Sequence, residues 1–166
     1  MAFLLVRLDP VGWPDPVKIK PDTSNSWKLF VLRDLDSNSH STIRDDIAGL
    51  APKDKEKCRE TLVTFARKAQ TGLEICDLYD DTQCHEALTV RVEVGKEYKD
   101  VKVWRVRGAD IRVYFCYLPN RVIALIKVNA KRTQKISAGE KLELKEMVQI
   151  LFTASFENTD VKTIEQ

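Results

Sequence analysis

The sequence predicts an α+β fold in which helices pack on a curved, mainly antiparallel sheet. Three observations support it. Apolar residues recur with a helical period over residues 53–70, a strict two-residue alternation begins at Leu88, and a helical period returns over residues 138–152. Because the period changes after Gly72, two helices should precede an antiparallel meander and one helix should follow it.

The N-terminal extension, residues 1–26, is predicted to be an irregular arm with one short strand. It holds four of the six prolines, and proline restricts both its own backbone and that of the preceding residue. Its opening apolar run, residues 2–6, is too short for a signal peptide and favours a strand. The main domain, residues 27–152, should begin with a strand at 27–32, and residues 153–166 should form a frayed tail.

Two helices are predicted next, a short one over residues 42–50 and a longer one over residues 53–70. Pro52 stands at a first helical position, and Gly72 is suited to end the second helix. The apolar side chains of this helix form one stripe: Cys58, Leu62, Phe65, Ala66 and Ala69. We expect residues 75–99 to form an elaboration between the helices and the meander.

The meander is predicted to contain four strands, at residues 88–94, 101–107, 111–118 and 122–130. In the third strand, Arg112 and Tyr114 alternate with apolar residues and should therefore share one face. Ser137 and Glu140 have the spacing of a capping box, which indicates the start of the last helix.

The meander and the residues that follow it are strongly basic. Residues 88–135 contain twelve Lys and Arg against four Asp and Glu, a net charge of +8, whereas residues 73–87 contain five acids and no Lys or Arg. A surface that binds a polyanion requires such an excess of cations. The alternative is a solvated face whose cations pair with the acidic segment, and charge alone does not decide between the two.

The four cysteines, Cys58, Cys76, Cys84 and Cys116, are predicted to be free thiols, because the chain shows no secretory signal. The spacing of Cys76, Cys84 and His85 does not match a structural zinc site, so no metal is expected. No apolar run approaches the ~20 residues that cross a bilayer. We therefore expect a soluble, cytoplasmic protein with no membrane partner.

Two motifs of the meander are more specific. Residues 103–115 end in the run RVYF, and residues 125–135 end in the run KRTQK, with a Pro-Asn turn between them. In this order, and in register with the predicted elements, the motifs resemble the RelE/ParE toxin superfamily. They are most similar to its HigB-like branch, in which a "yRv-yf" strand and a terminal "KKTQK" recur. The resemblance covers about residues 27–152.

The resemblance implies the toxin of a type II toxin–antitoxin system. In the ribonuclease branch the toxin enters the ribosomal A site and cleaves mRNA without a metal or other cofactor, which inhibits translation. The implied partners are mRNA, the ribosome and a cognate antitoxin, expected to be a helix-turn-helix protein. Such cleavage needs a base for the 2′-hydroxyl, cations for the phosphorane and a donor to the leaving oxygen.

By position in these motifs, the resemblance implies catalytic roles for Arg112, Arg132 and Lys131. It implies RNA binding by a second set of residues: Arg105, Arg107, Lys102, Tyr114 and Lys135. Two departures bear on catalysis. Arg105 and Arg107 stand where ribonuclease members have lysines, and arginine is a poor general base. No Tyr or His stands near the start of the last helix, where Glu140 is assigned a capping role, and neither His40 nor His85 lies in the matching region.

Two alternatives to the ribonuclease therefore stay open. One is a non-enzymatic member of the superfamily that poisons a protein target, as ParE-like toxins do with DNA gyrase. The other is a module on the same fold that binds RNA or a partner without toxicity, for which the long N-terminal arm is the only hint.

Overall fold

The computed structural model describes residues 3–7, 23–34, 41–131 and 136–157. In these ranges the chain forms an α+β fold, as predicted. Its elements in chain order are β1 (Phe3–Arg7), β2 (Lys28–Asp34), α1 (Thr42–Ala48), α2 (Pro52–Gln70), a 3-10 turn (Ile75–Leu78), β3 (Cys84–Val94), β4 (Glu97–Gly108), β5 (Ile111–Leu118), β6 (Val122–Ala130) and α3 (Ala138–Glu157).

The described strands form one mixed sheet in the order β1-β2-β6-β5-β4-β3. The four strands of the meander pair with their chain neighbours in antiparallel fashion, as the alternation predicts. The strand expected at residues 27–32 is β2, and it pairs with β6 in parallel, with Lys28 opposite Val122. The short strand expected near the N-terminus is β1, which pairs with β2 at the edge of the sheet.

Helices cover both faces of this sheet. On one face, α1 and α2 bury an apolar core that includes Phe65 from α2 and Phe115 from β5, with ring centroids 5.0 Å apart. On the other face, α3 packs Leu144, Val148 and Leu151 against the sheet. Both faces of the sheet are therefore shielded from water over most of their area.

The helix boundaries follow the local signals in the sequence. The Ser41 hydroxyl caps α1 by accepting a hydrogen bond from the Arg44 backbone N–H at 3.1 Å. Pro52 is the first residue of α2, and Gly72 follows the helix with φ +75°, a conformation that glycine adopts without strain.

The β3–β4 hairpin is longer than predicted. The connection between the first two predicted strands of the meander shrinks to Gly95 and Lys96, with Gly95 at φ +64°, and β3 already begins at Cys84. The elaboration expected at residues 75–99 is therefore largely part of the sheet, where β3 forms an edge. Among the described residues, no helix is long and apolar enough to cross a membrane.

The prediction of four free thiols is wrong for two of them, because Cys76 and Cys84 form a disulfide. The 3-10 turn and the following turn fold the chain back, so that the two Cα atoms lie 5.3 Å apart, within the usual disulfide range. Sequence spacing does not show this reversal. Cys58 and Cys116 are free and buried, and burial raises the pKa of each thiol to about 12.

Candidate active site

A group of polar side chains gathers on the α3 side of the sheet, where β4 ends and β5 begins. His85 lies opposite Arg105, which lies opposite Tyr114. Two residues further along the strands, Arg107 lies opposite Arg112. Directly opposed residues project from the same face of a sheet. With the contributions described below, these residues form the polar cluster: His85, Arg105, Arg107, Arg112, Tyr114, Asn129, Lys131 and Glu140.

Two β-bulges turn the members from β3 and β6 toward this face. In β3, Ala87 has no partner, since Glu86 pairs with Trp104 and Leu88 with Val103. This extra residue brings His85 onto the side of the sheet that carries Val90. A bulge next to a site commonly redirects a side chain in this way.

The second bulge lies in β6. Tyr114 pairs with Lys127 and Phe115 with Leu125, so Ile126 is the extra residue. Strict alternation from Leu125 would direct Asn129 away from α3, but the bulge places it opposite Arg112 on the α3 side. Both bulges therefore add polar groups to the same patch of the sheet.

Glu140, in the first turn of α3, joins the helix to the polar cluster. Its carboxylate forms an ion pair with Lys131, accepts a hydrogen bond from Asn129 Nδ2 at 3.2 Å and lies 3.5 Å from the Tyr114 hydroxyl. The Glu140 backbone N–H donates to the Ser137 hydroxyl at 3.2 Å, so the predicted capping interaction is present. Glu140 thus caps α3 and also binds the sheet.

The two central arginines are buried, which a cation seldom is. Arg112 is 0% exposed and Arg105 is 3% exposed. Arg112 shares one face with Tyr114, as the alternation predicts, but this is the face on which α3 packs, so the guanidinium is buried. Arg105 Nη2 lies 2.7 Å from His85 Nε2. Since a guanidinium only donates, Nε2 accepts this hydrogen bond and the ring proton lies on Nδ1.

The surroundings keep His85 neutral at physiological pH. Burial lowers the pKa of His85 first, and the charges of Arg105 and Arg112 lower it further, against an opposing backbone hydrogen bond at Asp81. Burial and the neighbouring Arg105 also lower the pKa of Arg112. The cluster thus combines an imidazole able to accept a proton with a strong positive field.

Tyr114 and Glu140 respond to the same field in opposite directions. Burial, followed by the charge of Glu140, raises the pKa of Tyr114, so its hydroxyl keeps its proton. Burial alone would raise the pKa of Glu140, but the hydrogen bond and charge of Lys131 outweigh it and hold that pKa below its ordinary value. The carboxylate is therefore ionised, beside a protonated phenol.

The remaining predicted site residues fall into three groups. Arg107 is half-buried beside Arg112, and its Nε donates to the Ala109 carbonyl at 3.1 Å. Lys102 projects from the other face of β4 and lies 3.7 Å from the Glu86 carboxylate, away from the polar cluster. The predicted roles of Arg132 and Lys135 fall on positions outside the described residues.

Sequence reasoning missed three members of the cluster. His85 was placed outside the matching region, Glu140 was given only a capping role, and Asn129 was given none. His85 could have been found by extending the first strand of the meander back to Cys84, which pairs with Val106 in β4. The bulge at Ala87 hides this extension, because it breaks the two-residue alternation of apolar side chains.

No model of a known protein family matches the chain, and no protein of curated function matches it significantly. The fold and the site together define an α+β domain with a histidine-containing, cationic cluster between a sheet and a covering helix.

Proposed function

We propose that this protein is a metal-independent endoribonuclease of the RelE/ParE type, the toxin of a toxin–antitoxin pair, which cuts mRNA on the ribosome. One observation carries the proposal: the bulge in β3 brings His85 to the face that holds Arg105, Arg112 and Tyr114, where Glu140 lies 3.5 Å from the Tyr114 hydroxyl. The RelE-like arrangement and the HigB-like motifs of the sequence belong to the same proposal.

The chemistry assigns a role to each group. His85 is neutral, so its Nε2 can take the proton of a substrate 2′-hydroxyl when Arg105 turns to the phosphate. Arg105 and Arg112 then stabilise the charge that develops on the phosphorane. The Tyr114 hydroxyl keeps its proton and can donate it to the leaving 5′-oxygen. This set replaces the lysines and the terminal Tyr or His that the sequence lacks.

The energetic cost of the cluster supports a function over a structural role. Burial, and next the charge of Arg105, disfavour the ionised form of Arg112 and lower its pKa. Ionisable groups held at such a cost are typical of functional sites.

The position of α3 adds a requirement for access. Because Arg112 is covered completely, RNA reaches it only when the first turn of α3 moves away from the sheet. Glu140 and Lys131 hold that turn in place, with side chains 17% and 19% exposed. We expect the phosphate to displace Glu140 from its cations.

The complete burial of Arg112 also favours a second candidate, a non-enzymatic protein on the same fold. A cationic cluster that never opens would serve only to attach α3, and the exposed cations would then bind RNA or a protein target, such as the gyrase of ParE-like toxins. This candidate predicts toxicity or binding without RNA cleavage.

The test is induced expression, with growth and mRNA cleavage on translating ribosomes as readouts. Arg112→Met keeps the volume filled and should reduce cleavage about a hundredfold, the usual loss for one transition-state cation. Arg112→Lys should restore cleavage only in part, because the planar fork is lost. His85→Gln should abolish the base while leaving RNA binding in place.

Arg91→Ala is the matched control for general basicity. Arg91 is exposed on β3 and stacks 4.8 Å from the Tyr98 ring centroid, outside the cluster. Equal losses from Arg112→Met and Arg91→Ala would contradict the catalytic role. A wild-type chain that arrests growth but cuts no RNA would establish the non-enzymatic candidate instead.

The proposed antitoxin should neutralise the basic surface. We expect it to place acidic side chains, or a helix that carries them, against the cations, so that affinity falls as salt rises. A complex that is insensitive to ionic strength, or bound only to the acidic segment 73–87, would contradict this expectation.

A further inference from the structure

The disulfide between Cys76 and Cys84 closes a loop next to the polar cluster. His85 follows Cys84 directly, and the two side chains lie on opposite faces of β3. Cys84 belongs to the core under α2, whereas His85 contacts Arg105 on the α3 side. The disulfide therefore fixes the backbone beside the proposed base without being a member of the cluster.

The loop that the disulfide closes also supplies a hydrogen bond to the His85 ring. Arg105 Nη2 donates to His85 Nε2, so the ring proton lies on Nδ1. Asp81, a residue of the loop, makes a backbone hydrogen bond that favours the protonated ring, so its carbonyl accepts from the ring N–H. The position and the tautomer of the imidazole thus depend on this loop.

The Cys76 end of the disulfide is attached to α2 by other contacts. Cys76 lies in the 3-10 turn, after Ile75, which is 0% exposed in the core under α2. The Leu78 carbonyl, in the same turn, accepts a hydrogen bond from Lys68 Nζ of α2 at 2.7 Å. Because these contacts do not involve the disulfide, this end keeps its place when the bond is broken.

The Cys84 end is held by fewer contacts. Cys84 begins β3, an edge strand that pairs only with β4 among the described strands. The bulge at Ala87 separates residues 84–86 from the regular part of the hairpin, and the preceding residues 80–83 are exposed. Strand ends and exposed turns open most readily in local unfolding. The disulfide thus joins a fixed segment to one that local unfolding can release.

A reductant reaches the disulfide through Cys76. This residue is partly exposed, whereas Cys84 is 4% exposed. A thiolate of a dithiol attacks the Cys76 sulfur, the S–S bond breaks, and the Cys84 sulfur leaves as a thiolate and takes a proton. The second thiol of the reductant then displaces the Cys76 sulfur, which also becomes a thiol. The protein gains two electrons and two protons, and the reductant becomes a cyclic disulfide.

We infer that the Cys76–Cys84 disulfide is a redox switch for His85: the bond holds the imidazole in the polar cluster, and its reduction by a dithiol releases it. The inference rests on the proposed function, which makes His85 the base. With the bond intact, His85 accepts the proton of the 2′-hydroxyl. After reduction, residues 80–86 separate from the 3-10 turn, and the arginines of the cluster bind RNA without a base beside them. RNA cleavage then follows the thiol–disulfide balance around the protein.

The test compares the oxidised full chain with the chain reduced by dithiothreitol, by NMR and without RNA. In the oxidised chain the His85 ring should carry its proton on Nδ1, and reduction should give a mixture of tautomers. The Arg107 backbone N–H, which donates to the Gln83 carbonyl at 2.7 Å, should exchange with solvent at least about tenfold faster after reduction. Amides of β5 and β6 should keep their protection, because only the loop opens.

Two variants separate the disulfide from a general effect of the reductant. Cys76→Ser cannot form the bond, so its His85 signals should match those of the reduced wild type and should not respond to dithiothreitol. Cys58→Ala removes a buried free thiol of α2 and should respond as the wild type does. A His85 ring that is unchanged by reduction would overturn the inference. Loss of protection throughout the reduced chain would also overturn it, since the bond would then stabilise the whole fold.

The cleavage assay separates the two proposals. The oxidised wild type should cut mRNA at least about tenfold faster than the reduced chain, with the affinity for RNA unchanged. A His85 ring that responds to reduction in a chain that cuts no RNA in either state would overturn the endoribonuclease and leave the disulfide as the support of His85. Cleavage at equal rates in the two states would overturn the redox switch alone.

Discussion

The surface that α3 covers has two ends that differ in chemistry. At one end, the helix packs on the apolar end of the sheet, formed by Val90, Val92, Val101 and Val103. At the other end, the same helix covers the polar cluster. Both ends belong to the same strands, and the apolar alternation of β4 runs directly from Val103 into Arg105 and Arg107.

The difference shows that stability and function come from different stretches of one interface. Burial of apolar area at one end stabilises the docking of α3, at about 25 cal/mol per Å². At the other end, docking removes Arg105 and Arg112 from water, and Glu140 favours docking through its ion pair with Lys131 and its hydrogen bond from Asn129. On the proposed function, the apolar end keeps α3 docked while the polar end opens to admit RNA.

The largest effect should come from the apolar end. Leu144→Ala removes a fully buried side chain of α3 and should lower the free energy of unfolding by about 2–5 kcal/mol, through lost burial and the cavity left behind. Chemical denaturation measures it. Leu142→Ala, at a neighbouring position that is 57% exposed, is the control and should stay within about 0.5 kcal/mol. Similar losses for both variants would mean that α3 does not dock in this way.

The disulfide should give the next largest effect. It ties the 3-10 turn to the residue before His85, and closing a short loop stabilises a fold by about 2–3 kcal/mol. Cys76→Ser should lower the free energy of unfolding by that amount. Thiol titration of the unreduced, denatured wild type should find two reactive groups, and a count of four would contradict the disulfide.

A smaller effect is expected where α3 meets the polar cluster. Glu140→Gln keeps the shape but removes the charge opposite Lys131, and should lower the free energy of unfolding by about 1.5 kcal/mol. Glu143→Gln is the matched control. Glu143 forms a 2.6 Å ion pair with Lys127 but its side chain is 58% exposed, so less than about 1 kcal/mol is expected. A larger loss from Glu143→Gln than from Glu140→Gln would mean that Glu143, and not Glu140, holds α3 against the sheet.

The smallest effect concerns pH. The pKa of His85 is lower in the folded chain than its ordinary 6.5, so the unfolded chain binds the extra proton first on acidification. The contribution of His85 to the free energy of unfolding is therefore complete above pH 6.5 and decreases as the pH falls below that value. The lowered pKa of Glu140 adds a second loss below pH 4.5. In His85→Gln, the free energy of unfolding measured by urea denaturation should decrease less steeply below pH 6.5. An unchanged slope would contradict this expectation.

Most of the fold could be predicted from the sequence because its elements carry local signals. The alternation from Leu88, the proline that begins α2 and the spacing of Ser137 and Glu140 each specify one element. The parallel pairing of β2 with β6 has no such signal, because it depends on residues far apart in the chain. The disulfide was missed for another reason: Cys76 and Cys84 are close in the chain, but nothing in their spacing marks the turns that bring the two thiols together.

The site could be predicted only in part. Arg112 and Tyr114 followed from the alternation of one strand together with the family motif. The burial of Arg112 could not be predicted, because a charged residue is usually exposed and nothing in the local sequence shows that α3 packs on this face. His85 was not predicted to belong to the site, because the unpaired Ala87 in β3 reverses the face to which the preceding side chains point. No feature of the sequence indicates a bulge at Ala87.

The parallel pair of β2 and β6 has a consequence for the order of folding. The meander closes through short turns between residues 84 and 130, whereas Lys28 must meet Val122, which follows 94 positions later in the chain. Contacts between distant residues form late, because the entropy of closing a long loop must be overcome first. During synthesis, β2 has no partner in β6 until residues 122–125 have left the ribosome. The long-range pairing of β2 with β6 is therefore expected to form after the meander.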